Sequence, residues 1–271
     1  MHIPGLLELT EREEIPKCII LLTGNSNVGK SCYSREYLLE QINDGSDCVY
    51  ITCTETEEQF QNWMEGAGVS RSQINSNLHF INPYIRRSAG DNSLQLPWII
   101  SEIKEITSNF HGSNARIPSL DTDKQVNQTE NQSGKKKRNF TLIVDSLNHL
   151  IALFGLKEVE AFVTDVYFTS KIQGLSGICS LTVPSLDQGE FERLSLSFDA
   201  VLEMAFKVEI ESRLRAMKMS LIKGVLLTPK WVDFEITQEG WVRFLQKGSD
   251  FICYVCKSKI NENPISYSGL Y

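Results

Sequence analysis

The order of apolar runs and amphipathic segments predicts an α/β fold, with a mostly parallel central sheet, flanking helices and antiparallel strands near the C-terminus. The next two observations support it. Short apolar runs alternate with longer helical stretches between residues 18 and 206. Beyond Phe206 the pattern changes to strands that would close one edge of the sheet. No apolar run approaches the roughly 20 residues that a membrane-spanning helix requires.

The predicted elements follow from this alternation. We expect strands over 18–23, 48–53, 78–82, 140–144, 177–183 and 201–206, and helices over 30–42, 56–67, 97–110 and 159–173. Two further stretches, 208–219 and 230–244, read as antiparallel strands, and Gln238-Glu239-Gly240 reads as a turn.

The length and composition indicate one large domain. The chain has 271 residues, of which 41% are hydrophobic and 23% charged, as is typical of a globular protein. We expect this domain to cover residues 1–250, followed by a C-terminal tail over 251–271. Residues 111–138 carry almost no apolar side chains, which predicts a disordered surface insertion. The basic run at the end of this insertion is explained as a solvent-exposed, charged segment that leads into the next strand. The alternative is that it contacts an acidic partner or nucleic acid.

Charge and cysteine usage narrow the functional classes. A net charge of −7 argues against the broad basic surface of a dedicated nucleic-acid binder, so we do not expect nucleic acid as a partner. Seven cysteines are scattered, most of them in apolar elements, which favours a reducing compartment. Since the N-terminus also lacks a leader pattern, we expect a cytoplasmic protein without membrane insertion.

Residues 24–31 fit the phosphate-binding P-loop pattern G-x-x-x-x-G-K-[ST] at each fixed position: Gly24, Asn25, Ser26, Asn27, Val28, Gly29, Lys30 and Ser31. The motif follows a predicted strand and opens the helix predicted over 30–42, and we expect Cys32, the next residue, to bind the nucleotide as well. Its backbone N–H groups would surround phosphate oxygens, Lys30 would reach the β- and γ-phosphates, and Ser31 would ligate Mg²⁺. The alternative is a glycine-rich turn without function, but a chance match has odds of about one in a hundred.

Two carboxylates follow neighbouring predicted strands. Asp145 comes directly after the run 140–144, at the sheet edge where ligands of open α/β sheets bind, and would hold Mg²⁺. Its alternative role is to cap the next helix. Glu55 follows the strand 48–53 and is the candidate for activating water. Glu57 and Glu58 are better explained as residues of a first helical turn.

Together these segments resemble the KaiC-like ATPases of the RecA superfamily, especially the single-domain archaeal members, over nearly residues 3–245. The P-loop and Asp145 carry the resemblance most strongly. Weaker similarities occur in the expected order at 3–6, 15–16, 144–147, 198–202, 215–219 and 233–240. The resemblance implies a RecA-like P-loop NTPase fold that binds ATP and Mg²⁺. It also implies a homo-oligomer, such as a hexameric ring, or a protein partner.

The chain departs from the family where hydrolysis is concerned. Family members that hydrolyse ATP usually carry two adjacent glutamates after the second strand, and here the pair is Thr54-Glu55. The family's Lys-x-Arg, which in rings reaches the neighbour's γ-phosphate, is replaced by Lys218-Met219-Ser220. The resemblance thus implies catalytic roles for Lys30, Glu55 and Lys218 only. An arginine finger is worth roughly 10³–10⁵ in rate, so we expect slow turnover.

The leading hypothesis is therefore an ATP-binding protein with slow or partner-stimulated hydrolysis that acts as a regulatory or assembly switch. The Thr-Glu-Thr at 54–56 also resembles the archaellum ATP-binding protein FlaH, so a non-hydrolysing assembly module is one alternative. A RadA/RadB-like, DNA-dependent recombinase ATPase is the other. The acidic balance and the lack of an added DNA-binding domain count against it.

A separate feature lies near the C-terminus. Cys253 and Cys256 have half the spacing of a zinc ribbon, but no second cysteine pair follows them. They could hold Zn²⁺ with further ligands from elsewhere. The alternative is two reduced thiols on a tail.

Overall fold

A computed structural model of the protein describes residues 1, 3–84, 96–111, 139–183, 185–208, 213–245, 251–252 and 259–260. Helices α1 to α8 span Leu6–Thr10, Lys30–Asn43, Glu57–Gly66, Arg71–Asn77, Leu96–His111, Leu147–Phe154, Leu156–Gln173 and Gln188–Ser195. Strands β1 to β9 span Ile19–Gly24, Asp47–Thr52, Leu78–Ile81, Phe140–Asp145, Ser176–Thr182, Ala200–Val208, Arg213–Ile222, Val232–Ile236 and Val242–Phe244. Two short strands, β10 at Phe251–Ile252 and β11 at Lys259–Ile260, pair with each other.

Strands β1 to β9 form one sheet in the order β3-β2-β4-β5-β1-β6-β7-β8-β9. Strands β1 to β6 pair in parallel, and β7 to β9 continue the sheet antiparallel. The predicted α/β class, with its parallel centre and antiparallel C-terminal edge, is confirmed. The sequence predicts these strands well because β1, β2 and β4 are buried along their whole length. Strands that are covered on both faces appear in the sequence as continuous apolar runs.

Hydrophobic cores lie on both faces of the sheet. One includes α2 with its buried Tyr33 and Tyr37, and the other includes α6 and α7 with Leu147 and Phe162. The parallel register brings the C-terminal ends of β1, β2, β4 and β5 to one edge: Gly24 lies beside Thr182, and Thr52 lies beside Asp145.

Some details differ from the sequence expectation. The helix predicted at 159–173 begins at Leu156, and a separate helix, α6, precedes it. The stretch 230–244, by contrast, agrees with the prediction: two antiparallel strands flank the turn at 238–240, where the Gly240 N–H donates to the Thr237 carbonyl at 3.0 Å. Of the insertion expected at 111–138, residues 112–138 lie outside the described part. No helix among the described residues is long and apolar enough to cross a membrane.

Candidate nucleotide-binding site

The P-loop connects the end of β1 to the start of α2 in a conformation that its glycines permit. Gly24 lies so close to β6 that a Cβ atom there would be 2.3 Å from the Met204 carbonyl oxygen. Gly29 has a φ of 113°, which L side chains rarely adopt, and a Cβ atom there would be 2.9 Å from Cδ1 of Ile236. The two fixed glycines of the motif thus let the loop curl against neighbouring strands.

Lys30 is folded over this loop. Its Nζ donates to the carbonyl oxygens of Gly24 at 3.0 Å and Asn25 at 2.7 Å. The side chain is 7% exposed, and burial lowers the pKa of its amino group, while the negative charge of Asp145 acts in the opposite direction. Lys30 therefore has its cationic group at the loop, within the electrostatic reach of the carboxylate predicted to bind Mg²⁺.

Asp145 ends β4 and is itself 7% exposed. Ser180 on β5 donates from Oγ to its Oδ1 at 2.7 Å, and the Tyr50 hydroxyl on β2 donates to its Oδ2 at 3.3 Å. Donors from the strands on both sides thus fix the carboxylate in place. The capping alternative receives no support, because Ser146 occupies the N-cap position of α6 and Asp145 lies one residue before it.

A cavity of about 460 Å³ lies at this edge of the sheet. Lys30, Ser31 and Asp145 share it, so the structure brings the principal predicted phosphate and Mg²⁺ residues together. The cavity is lined by Ser26, Asn27, Gly29, Lys30, Ser31, Cys32, Thr54, Asp145, Ser146, His149, Ser180 and Thr182.

These residues fit a magnesium ion. Mg²⁺ prefers oxygen ligands and is usually held by one or two protein groups together with phosphate and water. Asp145 and Ser31 offer a carboxylate and a hydroxyl oxygen in the same cavity. They would hold the ion against the phosphates, where its charge offsets that of the γ-phosphate.

Glu55 does not line this cavity. Its two carboxylate oxygens accept from Nη2 of Arg35 at 2.7 and 2.8 Å, and its carbonyl accepts from Nδ2 of Asn82 at 2.7 Å. The Arg35 guanidinium in turn lies 4.8 Å from the ring centroid of Trp63. The neighbouring residue, Thr54, lines the cavity instead.

Lys218 lies on β7, away from the cavity of its own chain. Its Nζ is 3.3 Å from Oε2 of Glu203 and 4.7 Å from the ring centroid of Trp231. Ser220, the residue in place of the family's arginine, donates to the same Glu203 carboxylate. The side chains of Lys218 and Ser220 thus both contact Glu203 in the part of the sheet where β6 and β7 pair antiparallel.

Sequence reasoning missed several residues of the site. Tyr50 and Ser180 lie inside apolar runs, where nothing in the sequence distinguishes them from core residues. Asn148 accepts from the backbone N–H of Thr182 at 2.7 Å and donates to Ser185 Oγ at 2.6 Å, which ties α6 to the end of β5. The available signal was the polar pair 148–149, one turn after Asp145.

A comparison with known protein families gives a match over most of the chain. A family model described as "ATPase: KaiC" matches residues 1–248. The chain belongs to the KaiC ATPase family. This membership confirms the resemblance drawn from the sequence and identifies a nucleotide-binding ATPase domain of the P-loop type.

A solved structure has the same fold. The crystal structure of the KaiC-like protein PH0186 from the hyperthermophilic archaeon Pyrococcus horikoshii OT3 is similar to this KaiC-family chain with a TM-score of 0.64. The similarity covers 90% of this chain and 96% of that chain at 14% identity, and it confirms the RecA-like fold. No curated protein matches the sequence.

The predicted zinc ligands Cys253 and Cys256 lie outside the described residues, and the comparisons give no support for zinc. Within the ranges that the structure describes, no group of three or more His, Cys, Asp or Glu side chains could hold a metal ion. Zinc at the C-terminal pair stays a prediction.

Proposed function

We propose that this KaiC-family protein binds ATP with Mg²⁺, hydrolyses it slowly or on contact with a partner, and serves as a nucleotide-dependent regulatory or assembly switch. The observation that carries the proposal is the composition of the cavity. It joins Lys30 and Ser31 of the P-loop to Asp145, but has Thr54 where hydrolysing relatives carry a glutamate.

The binding half of the proposal rests on preorganisation. The P-loop backbone, Lys30 and Asp145 are already fixed by hydrogen bonds, so little ordering is needed when a triphosphate binds. Asn25 and Val28 complete the loop, with Val28 fully buried beneath it. The ATPase domain would extend over residues 1–250, with the tail 251–271 outside it.

The proposal of slow hydrolysis rests on two predicted catalytic side chains, those of Glu55 and Lys218, which are not among the described residues that line the cavity. Glu55 is bonded to Arg35, and Lys218 is bonded to Glu203. An oligomer, such as a ring, would bring a neighbour's Lys218 towards the γ-phosphate, and a change in nucleotide state would then alter loops at the sheet edge. A second copy of the chain or a protein partner would recognise the nucleotide state by binding to these loops.

The proposal is tested by measuring binding of a fluorescent ATP analogue and release of phosphate, each with and without single-stranded DNA. We expect micromolar-range binding that the Lys30→Ala variant loses, and slow release that DNA does not stimulate. Binding without any release would favour the FlaH-like assembly module, and release stimulated by DNA would favour the recombinase. Equal failure of wild type and Lys30→Ala to bind would refute the proposal.

A further inference from the structure

The cavity holds few described side chains that could take a proton from water. The titratable ones are Lys30, Cys32, Asp145 and His149. Lys30 is a cation held by backbone carbonyls, and burial raises the pKa of the Cys32 thiol, so neither is a base. Asp145 accepts from two donors and is the residue that would hold Mg²⁺. His149 remains.

The geometry of His149 suits this role. It is the third residue of α6, one helical turn after Asp145, and it is an exposed residue that lines the cavity. Its Nδ1 is 2.9 Å from Oγ of Ser146. When Nδ1–H donates to that hydroxyl, the lone pair of the ring lies on Nε2. Orientation of an imidazole by a neighbouring polar group is the usual arrangement for a general base.

We propose that His149, oriented by Ser146, is the general base of this ATPase and replaces the glutamate that Thr54 has displaced. The inference rests on the proposed function, because it needs ATP in the cavity. In the reaction, the water oxygen forms a bond to the γ-phosphorus, and a water proton passes to Nε2 of His149. The bond between the γ-phosphorus and the bridging oxygen breaks, and its electron pair stays with ADP.

The placement of Glu55 leaves the role of base to another residue of the cavity. To reach the cavity, Glu55 would have to leave both hydrogen bonds to Arg35, whose guanidinium lies 4.8 Å from the Trp63 ring centroid. His149 needs no such rearrangement. The chain thus has a base on the helix after Asp145 rather than after β2.

The test compares His149→Gln, which keeps a polar side chain without a basic nitrogen, with His79→Gln as the matched control. His79 lies on β3 and does not line the cavity. Single-turnover phosphate release and the Kd for an ATP analogue are measured for each variant, with the melting temperature as a check on folding. General base catalysis contributes about 10²–10⁴ in rate, so we expect about a 100-fold loss of hydrolysis in His149→Gln with an unchanged Kd. His79→Gln should keep the wild-type rate.

Two further variants protect the test against a folding defect. Ser146→Ala keeps the imidazole but removes its orienting partner, and should lower the rate by about tenfold without changing the Kd. Thr54→Glu in the His149→Gln background places a carboxylate in the same cavity and should restore most of the rate.

Several results would overturn the inference even though the wild-type protein binds the ATP analogue. These are a His149→Gln rate close to that of wild type, a loss of affinity as large as the loss of rate, or wild-type protein that binds ATP but never releases phosphate. Failure of the proposed function looks different, since wild-type protein would then not bind the ATP analogue at all.

Discussion

The nucleotide cavity has two walls that follow the family pattern to different degrees. The phosphate wall, formed by residues 24–32 with Asp145, matches the pattern at each fixed position. The water wall, formed by Thr54, Ser146 and His149, departs from it at Thr54, where hydrolysing relatives carry a glutamate. Holding a triphosphate and activating water are therefore separate requirements. The first depends chiefly on one local loop, to which β4 adds Asp145, and the second depends on side chains that follow β2 and begin α6.

The largest effect is expected on the phosphate wall. Lys30→Ala removes a cation that is almost buried beside the loop, and should weaken ATP binding about 100-fold, or roughly 2.7 kcal/mol. Calorimetric titration with an ATP analogue measures this. Lys17→Ala is the control, because Lys17 is exposed and its Nζ donates to Asn139 Oδ1 at 2.7 Å. Equal affinity in the two variants would show that the phosphate wall does not bind phosphate.

The next effect concerns the metal. Asp145→Asn keeps an acceptor for Ser180 but removes the charge, so the gain in ATP affinity on adding Mg²⁺ should fall by about tenfold. Titrations with MgCl₂ and with EDTA measure the gain. Asp165→Asn, at an exposed site on α7, should keep it in full. A Mg²⁺ effect that survives in Asp145→Asn would assign the metal to other residues.

A third prediction separates Glu55 from the water wall. Glu55→Gln should leave hydrolysis within about threefold of wild type, because its carboxylate is bonded to Arg35 outside the cavity. In unfolding experiments, the Arg35–Glu55 pair should show a coupling energy of about 1–2 kcal/mol in a double-mutant cycle. The exposed pair Arg71–Glu65 serves as control, with about 0.3 kcal/mol. A loss of hydrolysis near 100-fold in Glu55→Gln would instead restore Glu55 as the base.

The smallest effect is expected for Lys218. Since its Nζ is paired with Glu203, Lys218→Met should leave ATP binding unchanged in dilute protein. If a neighbouring copy uses this lysine, the rate per molecule of wild-type protein rises by about twofold or more with concentration, and the variant loses that rise. Lys207→Met, which removes a pairing with Asp233 on the same part of the sheet, is the control. A concentration dependence that Lys218→Met retains would contradict the role in a neighbour's site.

Much of the fold could be predicted from the sequence because its parallel strands are buried on both faces. Apolar runs such as 19–23 and 140–144 bury side chains on both faces of a strand, which is possible in the middle of a sheet that is covered on both sides. The short helices at 71–77 and 188–195 were not predicted. They are held by capping boxes at Ser70 and Asp187 and have little apolar periodicity.

Local patterns of residues are enough to predict the class of fold, the P-loop and the aspartate at the end of β4. Each depends on neighbours in the chain, either through burial of a strand or through backbone conformations that only certain residues adopt. Tertiary structure alone decided that Glu55 pairs with Arg35, that Tyr50 and Ser180 hold Asp145, and that His149 lines the cavity. Contacts between distant segments depend on the register of strands and on packing, which no local pattern of residues specifies.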